Sequence, residues 1–144
     1  MLTIYKSRSS ELLANTHSKC TTDSWGKNFY QKLLKNNNVI AFVAGKPPKG
    51  LVVLNQIGYE AEILNIAVVR GFQNQGIGKL LLLKVLKLFD GLNVSVITLE
   101  VSTYNLFAIN LYKDFGFVKV GLRKNYYLKH NGKKEDAYIM KKKL

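Results

Sequence analysis

The sequence predicts one α/β domain, residues 1–144, whose central sheet is partly parallel. Its length suits a single buried core. A 47% hydrophobic content excludes a disordered chain despite a net charge of +13. An apolar stretch, Ile63–Val69, runs through a glycine-bearing polar loop into leucines at helical spacing, and a second strand and helix follow. That order requires a parallel crossover.

The elements follow in order. Ser24–Leu34 places Trp25, Phe29, Tyr30, Leu33 and Leu34 on one stripe of a helix that Asp23 or Ser24 would cap. Val39–Ala44 and Leu51–Leu54 read as a hairpin around Gly45–Gly50, which holds both prolines. Ile63–Val69, interrupted only by Asn65, suits a central strand. Arg70–Lys79 is the polar loop, and Leu80–Phe89 a helix whose wet face carries Lys84 and Lys87. Val94–Val101 reads as a buried strand, and Asn105–Phe115 as a short helix closed by Gly116. Phe117–Val120 and Tyr138–Met140 complete the strands.

Composition bounds the chemistry. Cys20 is the only cysteine, so an internal disulfide is excluded, and no metal site is expected. His17 and His130 stand in polar surroundings and read as surface residues. Met1–Lys6 has no apolar signal core, and no run approaches the roughly 20 residues of a membrane span; a cytoplasmic location is expected. Residues 119–144 hold nine Lys/Arg against two acids. Such a stretch suits a polyanionic partner, whether nucleic acid, acidic peptide or phosphorylated cofactor, or it is simply a solvated basic stretch.

The loop Gln73-Asn74-Gln75-Gly76-Ile77-Gly78-Lys79 has a physical use. Glycines permit close backbone approach, while the first turn of a helix offers free N–H groups and a favourable dipole to an anion. Its spacing fits neither a nucleotide P-loop nor the dinucleotide GxGxxG fingerprint. On glycines alone, phosphate binding and simple turn geometry both stay open.

This loop resembles the Q/R-x-x-G-x-G/A signature of the GNAT N-acetyltransferases. Leu64–Val68, Leu99-Glu100-Val101, Asn105, Ala108-x-x-Leu111-Tyr112, Phe115–Phe117, Arg123–Tyr127 and Glu135–Ala137 are similar to its RimI-type branch. Those enzymes acetylate the N-terminal alanine of small-subunit ribosomal protein eighteen. The resemblance spans about Ile63–Met140. It implies a mixed sheet splayed at an acetyl-CoA site and flanked by helices, with direct transfer to an α-amine in a ternary complex and no metal. It also implies cofactor contacts from Ile66, Ala67 and Val68 through main-chain groups, from Asn74, Gln75, Gly76, Ile77, Gly78 and Lys79 to the pyrophosphate, and from Asn105. The same resemblance implies Glu100 as general base and Tyr112 as general acid, with Tyr126 and Tyr127 expected in a loop bordering the acceptor peptide. Ser102 and Tyr104 depart from the branch's pattern, as does Asp23-Ser24-Trp25, which lacks its Pro-Trp.

Each residue has a plainer reading. Glu100 in an apolar strand would serve a salt bridge with a lysine. Tyr112 would be a half-buried helix tyrosine with its hydroxyl in water. Asn105 would be a helix cap. Tyr126 and Tyr127 would occupy a solvent-facing turn. Glu60 and Glu62 are rival bases. Two rival functions remain: a GNAT enzyme for another N-terminus, a lysine or a small amine, and a non-catalytic module that binds RNA or the ribosome through the basic region.

Overall fold

The computed structural model describes residues 2–144. The elements run β1 (Ile4–Lys6), α1 (Ser10–Ser18), α2 (Lys27–Leu33), β2 (Val39–Ala44), β3 (Gly50–Ile57), β4 (Glu60–Val68), α3 (Ile77–Gly91), β5 (Val96–Ser102), α4 (Leu106–Asp114), β6 (Val118–Leu128) and β7 (Lys134–Lys143). They form one seven-stranded sheet in the order β1-β2-β3-β4-β5-β7-β6. Only β4 and β5 are parallel, joined by the α3 crossover.

Alternation along each strand sorts the side chains into two layers. Phe42, Val52, Leu54, Ile63, Ile97, Leu99 and Val101 pack with Leu81, Leu82, Val85 and Phe89 of α3 and with Ile109 and Tyr112 of α4. The opposite residues, Val39, Ala41, Val43, Leu51 and Val53, pack with Leu13 of α1 and Tyr30 of α2. Full burial of each large aliphatic side chain contributes about 1.5–3 kcal/mol.

Two irregularities shape the middle of the sheet. Val53 pairs with Asn65 but Leu54 with Ile63, so β4 carries an extra residue at Leu64. Just there β4 parts from β5: their register runs from Glu60↔Val96 to Ile63↔Leu99 and stops. β7 stays paired with β5 through Ser102↔Ala137, so the opening lies between β4 and β5 alone.

The structure departs from the sequence reading in several places. The first helical turn of α3 begins at Ile77, so Gly78 and Lys79 belong to the helix. α2 starts at Lys27 behind Gly26, with neither Asp23 nor Ser24 as its cap. β1 and α1 were not expected; α1 opens on Ser9, whose hydroxyl accepts from Leu12 N–H at 3.1 Å. Arg123–Tyr127 is strand, not loop, and Lys141–Lys143 continue β7 against β5. No described helix is long and apolar enough to cross a membrane.

Candidate active site

The opened edge of β4 supplies main-chain groups. Val69 N–H donates to Lys49 O at 2.8 Å, and the Ala67 carbonyl faces Gly50. Antiparallel alternation therefore turns the main chain of Ala67 to β3 and those of Ile66 and Val68 into the gap. Gln73 Nε2 reaches the Val68 carbonyl at 3.4 Å. A cleft of about 300 Å³ runs along this edge, lined by Ile66, Ala67, Val68, Gln73, Asn74, Gly78, Asn105, Phe107, Ala108, Leu111 and Cys20.

The cleft ends on the N-terminus of α3. Gly76 has φ +83°, a left-handed conformation that glycine adopts without strain, and it precedes the helix with no side-chain cap. Leu80 N–H closes onto Gly76 O at 3.0 Å, which leaves the N–H groups of Ile77, Gly78 and Lys79 without intrahelical partners. Gly78 is buried where an added Cβ would meet Leu111, Val68 and Phe107 at 3.4–3.9 Å, so a side chain there would narrow the cleft. Of the expected pyrophosphate residues, Asn74 and Gly78 line the cleft. Ile77 gives its side chain to the core, leaving its main chain for a ligand.

Beyond the cleft a cavity of about 420 Å³ fills the gap. Glu100 from β5 and Tyr112 from α4 both line it, with Asn65, Ile66, Asn105, Asp23, Tyr127 and Lys129. The salt bridge expected for Glu100 is to Arg123, not a lysine: Arg123 Nε lies 3.2 Å from Glu100 Oε1. Glu100 Oε2 is buried with no hydrogen-bond partner. Tyr126 stands within reach of the same carboxylate: hydrogen bonding to Glu100, then burial, raises its phenol above the ordinary value.

Tyr112 is 4% exposed, not half in water. Burial holds its phenol well above the ordinary value, with Tyr127 adding to the rise. Its ring packs on Phe117 with centroids 5.5 Å apart, and the side chain borders the cavity. Asn105 does cap α4, its Oδ1 accepting from Ala108 N–H at 3.2 Å, and it borders both cleft and cavity.

Tyr126 and Tyr127 sit in β6 beside an irregularity where Arg123 pairs with Ala137 but Tyr127 with Glu135. Asn125, at φ 54°, donates its N–H to Asp136 Oδ1 at 2.8 Å and anchors that bulge. Tyr127 donates to the Glu100 carbonyl at 3.1 Å; burial, then the neighbouring Tyr126 and carboxylates, push its phenol to about 12. Both tyrosines wall a 200 Å³ pocket with Trp25, Phe29 and Leu33, floored by Glu62 and Glu100. Burial, then Glu100's charge, raise Glu62 above the ordinary carboxylate value. Glu60 is exposed at the start of β4.

Some site residues were not legible beforehand. Asp23, between α1 and α2, accepts from His130 N at 2.8 Å and from His130 Nδ1 at 3.0 Å, so the β6–β7 turn is tied over the cavity. His17 is 3% exposed, not a surface residue: nothing in its neighbours announces that α1 turns it inward. Cys20 lines the cleft as a protonated thiol, which burial pushes up to about 11. No cluster among the described residues could hold a metal ion.

Comparison with known proteins bears on this geometry. The model of a family described as the acetyltransferase (GNAT) family matches residues 3–117. The [ribosomal protein bS18]-alanine N-acetyltransferase of Haemophilus influenzae is 37% identical over 109 residues, 76% of this chain and 68% of that one. The crystal structure of the ribosomal-protein-S18-alanine N-acetyltransferase from Escherichia coli superposes with TM-score 0.89 at 27% identity, covering 98% of this chain and 92% of that one. Arabidopsis thaliana NAA60, solved in complex with acetyl-CoA, shares the fold with TM-score 0.86 at 21% identity over 100% of this chain and 99% of that one.

Proposed function

This chain belongs to the acetyltransferase (GNAT) family and is an acetyl-CoA-dependent N-acetyltransferase, and from that premise we propose that its acceptor is a protein α-amine, the N-terminal alanine of ribosomal protein bS18. The observation that carries this reading is the Glu100 carboxylate, held on one oxygen by Arg123, in one cavity with Tyr112 at the point where β4 and β5 part.

Acetyl-CoA supplies the acyl group as an activated thioester. The residues present suit it: the free N–H groups of Ile77, Gly78 and Lys79 take the pyrophosphate, and the gap-facing main chain of Ile66 and Val68 pairs with the pantetheine arm. Asn105 borders the same path. An α-ammonium, with a pKa of about 8, is mostly protonated at neutral pH. Glu100 Oε2 accepts its proton, freeing the lone pair to attack the thioester carbon. Main-chain N–H of the opened β4 edge stabilises the oxygen as charge develops on it. Tyr112, kept in its O–H form by burial, gives its proton to the departing sulfur, and the second proton that the nitrogen sheds on forming the amide restores the phenol by way of solvent. Cys20 is a poor relay because its thiol stays protonated, which favours direct transfer in a ternary complex. Tyr126 and Tyr127, with Trp25 and Phe29, border the acceptor chain.

The same reading carries a cytoplasmic location and a ribosome contact through Lys and Arg of β6 and β7. Salt-sensitive binding of the protein to ribosomes would test that contact.

The experiment is mass spectrometry of an Ala-starting peptide with the ribosomal protein's N-terminal sequence, incubated with acetyl-CoA, beside an N-blocked copy and the Glu100→Gln enzyme. Acetylation at the α-amine, absent from the blocked copy and strongly slowed in the variant, is the expected result. Turnover confined to lysine side chains or polyamines would overturn the acceptor.

A further inference from the structure

Asn65 follows the extra residue of β4, where that strand has left β5, and it lines the same cavity as Glu100. Its amide Nδ2 lies 2.9 Å from Nε2 of buried His17, and an amide's oxygen and nitrogen can exchange places without a change of shape. The proton inventory of this contact decides which end faces His17. Trp25 N–H, a main-chain group that can only donate, points at His17 Nδ1 at 3.1 Å, and the Tyr30 hydroxyl lies 3.0 Å from the same nitrogen. Nδ1 is therefore the acceptor nitrogen. In a neutral imidazole the hydrogen is then on Nε2. Burial keeps His17 neutral, lowering it to about 4.

An Nε2–H needs an acceptor, and Asn65 offers one only through its carbonyl oxygen. Amide orientation follows from such a network, since oxygen and nitrogen have nearly the same shape. With the oxygen on His17, the NH₂ of Asn65 is turned away from His17, on the cavity side. The Tyr30 hydroxyl, also within reach of the Asn65 amide, can serve the oxygen end, so the NH₂ is left to face the cavity it shares with Glu100 and to meet the nearest acceptor of an N-terminal residue. That acceptor is its first peptide carbonyl, two bonds from the α-nitrogen's own carbon.

We propose that Asn65 donates a hydrogen bond to the first peptide carbonyl of the acceptor, and that His17 is the positioning residue that turns the Asn65 NH₂ into the cavity. This deepens the α-amine reading and rests on it. A lysine ε-amine or a simple alkylamine has no carbonyl at that position, so the pair selects α-amines of peptides. Asn65 and His17 are 48 residues apart in sequence.

The test uses two acceptors: the Ala-starting peptide, and the same peptide with its first carbonyl reduced to CH₂. Mass spectrometry gives kcat/KM for each, and the ratio within one enzyme cancels any loss of folded protein. Wild type should prefer the intact peptide. Because the reduced linkage is also a basic amine, the reading is the change in ratio between enzymes: Asn65→Ala should lower it about tenfold relative to wild type, the size of one hydrogen bond. So should Asn65→Asp, which keeps an oxygen for His17 but presents no donor. His17→Leu should reduce the ratio, and His17→Gln, whose amide can donate to Asn65, should restore most of it. An unchanged ratio in Asn65→Ala overturns the proposal. Should wild type acetylate neither peptide, the peptide-acceptor reading falls. The ratio of the two peptides' Kd values on the CoA-loaded protein, wild type against Asn65→Ala, then decides this proposal by the same criterion.

Discussion

Arg123 holds one oxygen of Glu100 at 3.2 Å and leaves the other buried without a partner. The arrangement fixes the carboxylate in the sheet, and the proposed role as base follows from that fixed position. Glu100→Gln keeps shape and loses basicity, so kcat should fall by about a hundredfold or more. The Kd for acetyl-CoA, measured by titration calorimetry, should stay the same. Arg123→Gln should slow the wild type and have little further effect in the Glu100→Gln background, because its role passes through that carboxylate.

Tyr112→Phe removes only the hydroxyl, and the packing on Phe117 persists. The expected outcome is a lower kcat with Tm changed little. Thiol release should become the slow step, so a CoA thioester with a more acidic thiol should recover part of the rate. Tyr112→Ala should instead unfold the enzyme at lower temperature, since opening a large buried site costs about 3–5 kcal/mol.

Gly76→Ala places a Cβ at φ +83°. Nothing lies within 4 Å of it, so the penalty is conformational alone, about 1–2 kcal/mol. Weaker acetyl-CoA binding and a modest fall in Tm should follow. Gly78→Ala has ordinary φ but meets Leu111 at 3.4 Å, and should raise the KM for acetyl-CoA while leaving stability nearly unchanged.

His17 gives the pH dependence of stability. Its folded-state value is lowered from 6.5 to about 4 by burial. The unfolded chain therefore binds more protons than the native one between these values, and stability falls as pH drops from 6.5 towards 4. The loss should reach about 3 kcal/mol. Urea titrations from pH 4 to 7 check this, and His17→Gln should flatten that part of the profile.

The local grammar of the chain determined most of the fold and the cofactor end of the site. The hairpin around Gly45–Gly50, the central β4, the Gly76–Gly78 helix start and the strand that carries Glu100 are short-range patterns: alternation, a turn, a leucine stripe. Their physics acts over a few residues; the roles expected of Glu100, Tyr112 and Asn105 came from the family resemblance that these patterns carry. The length of β6 could not be read in this way. Phe117–Val120 reads as strand, but the continuation through exposed Leu122 to Leu128 forms because β7 supplies a partner, a contact between segments that neither announces by itself.

Only the tertiary structure decided the acceptor end. His17 reads as a surface residue until α1 turns it onto Trp25, Tyr30 and Asn65. The same holds for Asp23 with His130 and Arg123 with Glu100. These partners are 8 to 107 residues apart and lie on different segments, so their contacts depend on how the segments pack, not on periodicity. The splay itself has that origin: one extra residue at Leu64 and the end of the β4–β5 ladder at Ile63 open the gap. Composition has no term for such a gap, because it is a property of how two strands part.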